Sequence, residues 1–162
     1  MQPYGASRGL GRGVVTRRAA RSPSAGSVVV VEDDLSVHDA VGGEAFFVDL
    51  VDAFYRRVSG DVLLRPLYPD DLTAPRRHMT LFLQQYWGGP GTYSEQRGHP
   101  RLRQRHLPFV ISEPERDAWF AHMAAALDEV VVARGIDPAI EAQMLDYFAQ
   151  AADFMVNARS PQ

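Results

Sequence analysis

The chain has 162 residues, 46% of them hydrophobic and 23% charged, with a formal charge of −3 at pH 7. That length buries one sizeable core but not two, and the balance excludes a disordered or membrane-embedded chain. Cysteine is absent, which excludes disulfides, thiolate catalysis, iron–sulfur clusters and thiolate-ligated metals.

The first 31 residues carry Arg8, Arg12, Arg17, Arg18 and Arg21 and no acidic residue, so the acidic excess belongs entirely to the rest of the chain. An acidic body argues against nucleic acid as a partner, because such a surface needs clustered positive charge. Residues 1–33 are rich in Gly, Ser and Ala and lack helical or strand periodicity. They are expected to form a disordered, dispensable arginine-rich extension. The leader has no apolar segment of the secretory kind, and the longest purely apolar run, Val28 to Val31, is far too short to cross a bilayer. A cytoplasmic protein without membrane insertion is the expectation.

From 34 to 158 the pattern is helical throughout, with 159–162 as a short tail. Asp34 or Ser36 can cap a brief first helix that breaks at Gly42 and Gly43. Between Glu44 and Val58, the residues Phe47, Leu50, Val51, Phe54, Tyr55 and Val58 recur at spacings of three and four and define one buried face. A third helix is expected to start near Thr73, with Pro75 in its first turn, and to set Met79, Phe82, Leu83 and Tyr86 along one side. Gly88, Gly89 and Pro90 end it, and a long polar loop follows. Leu102 to His106 reads as one or two helical turns stopped by Pro108, since the residue before a proline is driven out of the helical region. Ser112 and Glu115 form a capping box for a long helix with Trp119, Met123, Leu127 and Val130 on its stripe. Asp137 and Pro138 open the last helix, whose inward residues are Ile140, Met144, Phe148, Ala152 and Met155. Periodicity alone gives an all-α bundle of four substantial helices.

The stretch from Gln85 to His106, QYWGGPGTYSEQRGHPRLRQRH, carries the chemistry. Near the end of a short helix, a neutral His106 can offer one ring nitrogen to a metal while the other donates to a backbone carbonyl. On its own, a single histidine is more often a satisfied polar residue. The whole string, however, closely resembles that of the group II truncated haemoglobins, the HbO-type globins of actinobacteria, and the resemblance runs from about Val37 to Asn157. It implies a truncated two-over-two globin sandwich, haem b between the helix pairs, and His106 as the proximal iron ligand. O2, together with NO or CO, would be the ligands.

The AFY, YPDD and ERDAW segments extend the resemblance and imply that Tyr55, Tyr68 and Trp119 line the distal side. Phenol O–H and indole N–H are donors, and a phenol with pKa about 10 stays protonated near neutrality. Each hydrogen bond to a bound gas is worth about 1 kcal/mol, so two or three slow release by roughly 30-fold to several hundred-fold. The expected role is retention of O2 for redox or NO-detoxifying chemistry, as in an NO dioxygenase, rather than simple oxygen transport. No G-x-G-x-x-G follows a strand, so sustained turnover would draw on a separate reductase. Homo-oligomer formation is left open.

Phe82, Tyr86 and Trp87 are expected to pack on the haem or in the core rather than to act as catalysts. Tyr93, Arg97 and Arg105 are expected to meet its propionates, arginine offering a planar fork to carboxylates. Met79 stands where leucine is usual on the distal side. It either fills the pocket as a flexible apolar residue or closes the iron through its thioether, with His78 as the competing ligand. Adjacent helical residues point about 100° apart, so both cannot face the iron. The segment after Tyr68 is one residue shorter than the family pattern, and Pro75 replaces a small residue. Two other classes stay open. One is a haem-dependent peroxidase, which needs a distal acid or base and finds only His78; the other is a gas sensor or haemless interaction module.

Overall fold

The structure is a computed structural model that describes residues 35–159. The expected extension 1–33, the cap at Asp34 and the end of the tail lie outside the described residues. Within them every regular element is helical, in the order α1 (Val37–Ala40), α2 (Glu44–Ser59), α3 (Thr73–Tyr86), α4 (Thr92–Arg97), α5 (Leu102–His106), α6 (Glu113–Arg134) and α7 (Pro138–Met155), with one 3-10 turn at Arg65–Leu67. Ser36 caps α1 by accepting from the Asp39 N–H at 3.2 Å. Gly42 and Gly43 then reverse the chain at φ 96° and 78°, a region glycine enters without the steric cost of a Cβ.

The four long helices form two layers. α2 packs on α3, α7 packs on α6, and α2 crosses α6 to join the layers, which is the two-over-two arrangement. The core sits at that crossing, where Phe46, Phe47, Leu50 and Phe54 of α2 meet Met123 and Leu127 of α6 and Met144 and Phe148 of α7, all essentially without solvent contact. Each such side chain stabilises the fold by about 1.5–3 kcal/mol relative to exposure. Local signals set the ends of the last two helices. Ser112 and Glu115 close the capping box of α6, Gly135 ends it at φ 62°, and the Asp137 carboxylate accepts from the Ala139 N–H at 2.8 Å to start α7.

Two features depart from expectation. The polar loop after α3 contains α4, which has only Tyr93 buried and so carries no periodic apolar stripe. Its first turn is held by Gln85 of α3, whose amide accepts from the Ser94 N–H at 2.9 Å and donates to the Ser94 hydroxyl at 2.7 Å. The apolar side of α3 is the second. Leu83 is its one fully buried apolar residue, while Met79 and Phe82 are only partly buried, because that side faces a cavity instead of packed side chains. At the end of α3, the His38 N–H donates to the Trp87 carbonyl at 2.9 Å and clamps α1 to the following turn. Gly89 makes this approach possible, since a Cβ there would lie 2.5 Å from His38 Cδ2 and 2.8 Å from the Gln84 carbonyl.

Candidate functional site

A cavity of about 420 Å³ opens between the helix layers, within the roughly 300–1,000 Å³ range of ligand pockets. Each long helix contributes to its wall: Tyr55 from α2, Met79 and Phe82 from α3, Trp119 and Met123 from α6, and Tyr147 and Phe148 from α7. Tyr68, Tyr93, Arg97, Arg105 and His106 complete it. Residues far apart in sequence therefore converge on one largely apolar space.

His106 sits on α5, which is five residues long and too short to be helical by propensity alone. The chain enters α5 through Arg101, whose φ of 42° is the left-handed conformation, a strained choice for a residue with a Cβ. What holds α5 is the last turn of α7 and the segment after it. The Arg103 guanidinium donates to the Phe154 carbonyl and, at 3.1 Å, to that of Val156, and lies 5.4 Å over the Phe154 ring. Asn157 donates to the carbonyls of Phe109 at 2.9 Å and His106 at 3.3 Å and accepts from the Ile111 N–H at 3.0 Å. The His106 Nδ1–H donates to the Leu102 carbonyl at 2.6 Å. That bond selects the tautomer in which Nε2 keeps its lone pair, the form that binds a metal.

Tyr55, Tyr68 and Trp119 form a second group on the cavity wall. The Tyr55 and Tyr68 rings meet edge to face at 5.5 Å, and Phe54 separates Tyr55 from Trp119 with centroids 5.2 and 5.5 Å away. Burial pushes the Tyr68 phenol up to about 12, and a hydrogen bond with Trp119 pulls the other way. Burial also drives the Tyr55 phenol well above its ordinary value, with the neighbouring Tyr68 adding to the effect and Arg76 opposing it. Arg76, which sequence reasoning did not single out, lies 5.8 Å over the Tyr55 ring and pairs with Asp52 at 3.3 Å. Both phenols are thus neutral donors at physiological pH.

Cationic groups gather elsewhere on the wall. Arg97 Nη1 lies 2.9 Å from His78 Nε2, and since a guanidinium only donates, that nitrogen accepts. His78 is accordingly a poor base: burial lowers its pKa first, then Arg97, Arg77 and Arg105. The same contact occupies one of its two ring nitrogens. Arg97 also lies 6.0 Å over the Tyr93 ring, while Arg105 donates to the Pro100 and Arg97 carbonyls, each at 2.8 Å.

Phe82 and Met79 line the cavity, whereas Tyr86 and Trp87 lie outside it and Trp87 is part of the core. The final turn of α3 carries them past the cavity to α7, where Tyr86 stacks on Tyr147 at 4.0 Å and Trp87 meets the same ring edge-on at 5.4 Å. Tyr147 takes the wall position instead. Its spacing of three from the inward Met144 was the available signal.

A haem fits these residues. The apolar wall would suit a flat macrocycle, His106 Nε2 would offer its lone pair to the iron, and the guanidiniums of Arg97 and Arg105 would match propionate carboxylates. Among the described residues no group of three or more His, Asp or Glu is placed to hold a metal ion. No described helix is long and apolar enough to cross a membrane. An all-helical two-over-two fold enclosing such a cavity, with one histidine on a short helix, defines a truncated globin.

The comparisons agree. The bacterial-like globin family model matches residues 36–154. Group 2 truncated hemoglobin YjbI of Bacillus subtilis is 44% identical over 115 residues, covering 71% of this chain and 84% of the relative. The hemoglobin of Chloroflexus aurantiacus superposes with a TM-score of 0.73 at 50% identity, covering 76% of this chain and 99% of that one. A truncated oxygen-avid haemoglobin from Bacillus subtilis gives 0.70 at 41%, covering 76% and 100%. The chain belongs to the bacterial-like globins, as a group II truncated haemoglobin. Membership brings haem-based binding of diatomic gases.

Proposed function

We propose that the cavity holds haem b with His106 Nε2 as its proximal ligand, and that the protein retains O2 for oxidation of a second small molecule such as NO rather than carrying it. The observation that carries this reading is the pairing, in one cavity, of a histidine with a free Nε2 and three neutral aromatic donors. Haem, when bound, supplies an iron that binds diatomic gases and exchanges single electrons.

The protein's own groups do the rest. His106 holds the metal in an orientation fixed by the Leu102 carbonyl. Tyr55, Tyr68 and Trp119 donate to a gas that has gained negative charge, where the surrounding apolar wall excludes competing water. Burial keeps both phenols protonated, so this donor set persists across physiological pH. Met79 acts as flexible apolar filling on the wall. Arg97 and Arg105 pair with the propionates. Retention fits the oxygen-avid description of the B. subtilis relative. Repeated turnover draws electrons from a separate reductase, and a cytoplasmic setting suits that supply.

The test is the visible absorption spectrum of the haem-reconstituted protein with and without His106→Ala. Stoichiometric haem and a Soret band that weakens or shifts in the variant are expected, with slow O2 release in the wild type. A wild type that takes up no stoichiometric haem ends this reading, and release as fast as in a carrier ends the retention part of it.

A further inference from the structure

Between Glu95 and Glu113 the chain has no carboxylate, yet this stretch holds Arg97, Arg101, Arg103 and Arg105. On an otherwise acidic body that run is an exception. The fold adds Arg77 of α3 to it: Arg77, Arg97 and Arg105 all act on His78, and Arg77 Nη2 donates to the Gln96 side-chain oxygen at 3.2 Å. Among the described residues none of these five joins an ion pair, whereas Arg56, Arg57, Arg76, Arg116 and Arg134 each face an aspartate or glutamate. Propionates taken up by Arg97 and Arg105 leave Arg77, Arg101 and Arg103 without a carboxylate. The same segment then runs into apolar surface. Leu107, Phe109 and Val110 are 59%, 41% and 69% exposed. Phe109 also lines the cavity, and its ring centroid lies 6.5 Å from that of His106, so one side chain separates this surface from the imidazole. Gas retention requires neither the surplus of arginines nor apolar side chains set in water.

We infer that this face docks an acidic protein that delivers single electrons, seating it over Phe109 on the His106 side of the cavity. The inference rests on the haem-binding reading above and gives a surface chemistry to the reductase which that reading calls for. An acidic partner is repelled by most of the body and attracted here, so charge sets both its orientation and its rate of encounter. Leu107, Phe109 and Val110 then expel water from the middle of the contact, while the arginines stay at its hydrated edge, the usual division between an apolar centre and a polar rim. The chemical step is one electron. The donor is oxidised by one unit, the haem iron passes from Fe(III) to Fe(II), and no proton or group is transferred. Arginine suits such a rim, because its planar fork binds aspartate and glutamate side chains in two-point fashion. The apolar part is three side chains of a single short loop, an area that fits the centre of a transient protein contact better than insertion into a lipid surface.

The test uses full-length ferric protein reconstituted with haem. Flavodoxin hydroquinone, an acidic donor that becomes the neutral semiquinone on losing one electron, is mixed with it anaerobically under stopped flow. Photoreduced lumiflavin serves as a small uncharged donor. Raising the salt from about 0.02 M to about 0.5 M shortens the screening length from roughly 20 Å to roughly 4 Å, and should slow reduction by flavodoxin at least about tenfold while leaving lumiflavin unaffected. At low salt, Arg77→Glu combined with Arg101→Glu should slow flavodoxin at least about tenfold. Val110→Glu should slow it too, with haem content and lumiflavin rate unchanged. Arg56→Glu, which reverses one charge outside this face, should stay within about twofold of wild type. Titration calorimetry with oxidised flavodoxin should show binding that the double variant loses. Absent or salt-independent reduction by flavodoxin, or losses in Arg56→Glu as large as in the double variant, overturns the inference. Wild type that binds phosphatidylglycerol vesicles but not flavodoxin also overturns it and assigns the face to lipid. A wild type that takes up no haem ends this inference together with the proposed function, whereas haem-loaded protein indifferent to these charges ends the docking surface alone.

Discussion

Replacing Trp119 by Phe keeps a ring in the cavity wall while deleting one N–H donor, which separates hydrogen bonding from packing. The indole also opposes the effect of burial on the Tyr68 phenol, so the variant removes one donor and alters the surroundings of a second. A neutral hydrogen bond contributes about 1 kcal/mol, which is roughly fivefold in a dissociation rate. Tyr55 is 2% exposed, so no water replaces its hydroxyl and Tyr55→Phe should cost about the same. Were the two independent, the double variant would release O2 roughly 30-fold faster than wild type. The Tyr55 ring meets Tyr68 at 5.5 Å and Phe54 at 5.2 Å, and Phe54 meets Trp119 at 5.5 Å, so the three act as a connected set, and a departure of at least about 0.5 kcal/mol from additivity is expected. Stopped-flow displacement of O2 by CO in wild type, both single variants and the double variant measures this cycle. Off-rates within twofold of wild type in all three variants would refute the distal-donor argument.

Other outcomes follow from the same geometry. Asn157→Ala removes three hydrogen bonds to the α5–α6 segment; it should cost about 2 kcal/mol in urea unfolding and speed haem transfer to an acceptor apoprotein, whereas equal stability and equal transfer would show α5 to be self-supporting. Gly89→Ala should cost about 1–3 kcal/mol, and His38→Ala should recover only part of it, because the Gln84 carbonyl 2.8 Å from the new Cβ is backbone; full recovery in the double variant would contradict that. Tyr68 has its pKa raised from 10.0 to about 12, so its contribution to stability is complete below about pH 10 and is lost as pH climbs toward 12. Urea titrations from pH 9 to 12 should show the decline, with a shallower slope in Tyr68→Phe.

The long helices were legible because their signals are local. Ser112 with Glu115, and Asp137 with Pro138, mark helix starts within a single turn, and the stripes of α2 and α7 repeat often enough to fix a face. The short helix α4 was not, because Gln85, nine positions before Ser94, holds it. The site divides in the same way. The hydrogen bond from His106 to Leu102 spans one helical turn and follows from α5 being helical. The contact of Arg97 with His78 and the hold of Asn157 on His106 span 19 and 51 positions, and no local pattern encodes them. Tyr86 shares a helical side with Phe82 and was expected beside it at the haem. One further turn of α3 carries it beyond the cavity, and the position of α7, which only tertiary packing sets, decides what it meets.

Since α5 is fastened by the last turn of α7 and the residues that follow it, the order of synthesis matters. When His106 has been made, Arg103 and the His106 carbonyl still lack their partners, because the carbonyls of Phe154 and Val156 and the Asn157 amide come some fifty residues later. Contacts of such long sequence separation form late, after loop closure has been achieved. A nascent chain therefore presents an apolar half-cavity before it presents an oriented imidazole. An imidazole oriented at the cavity becomes one of the last features of folding, and its appearance reports on the docking of α7 rather than on the formation of the helix that bears the histidine.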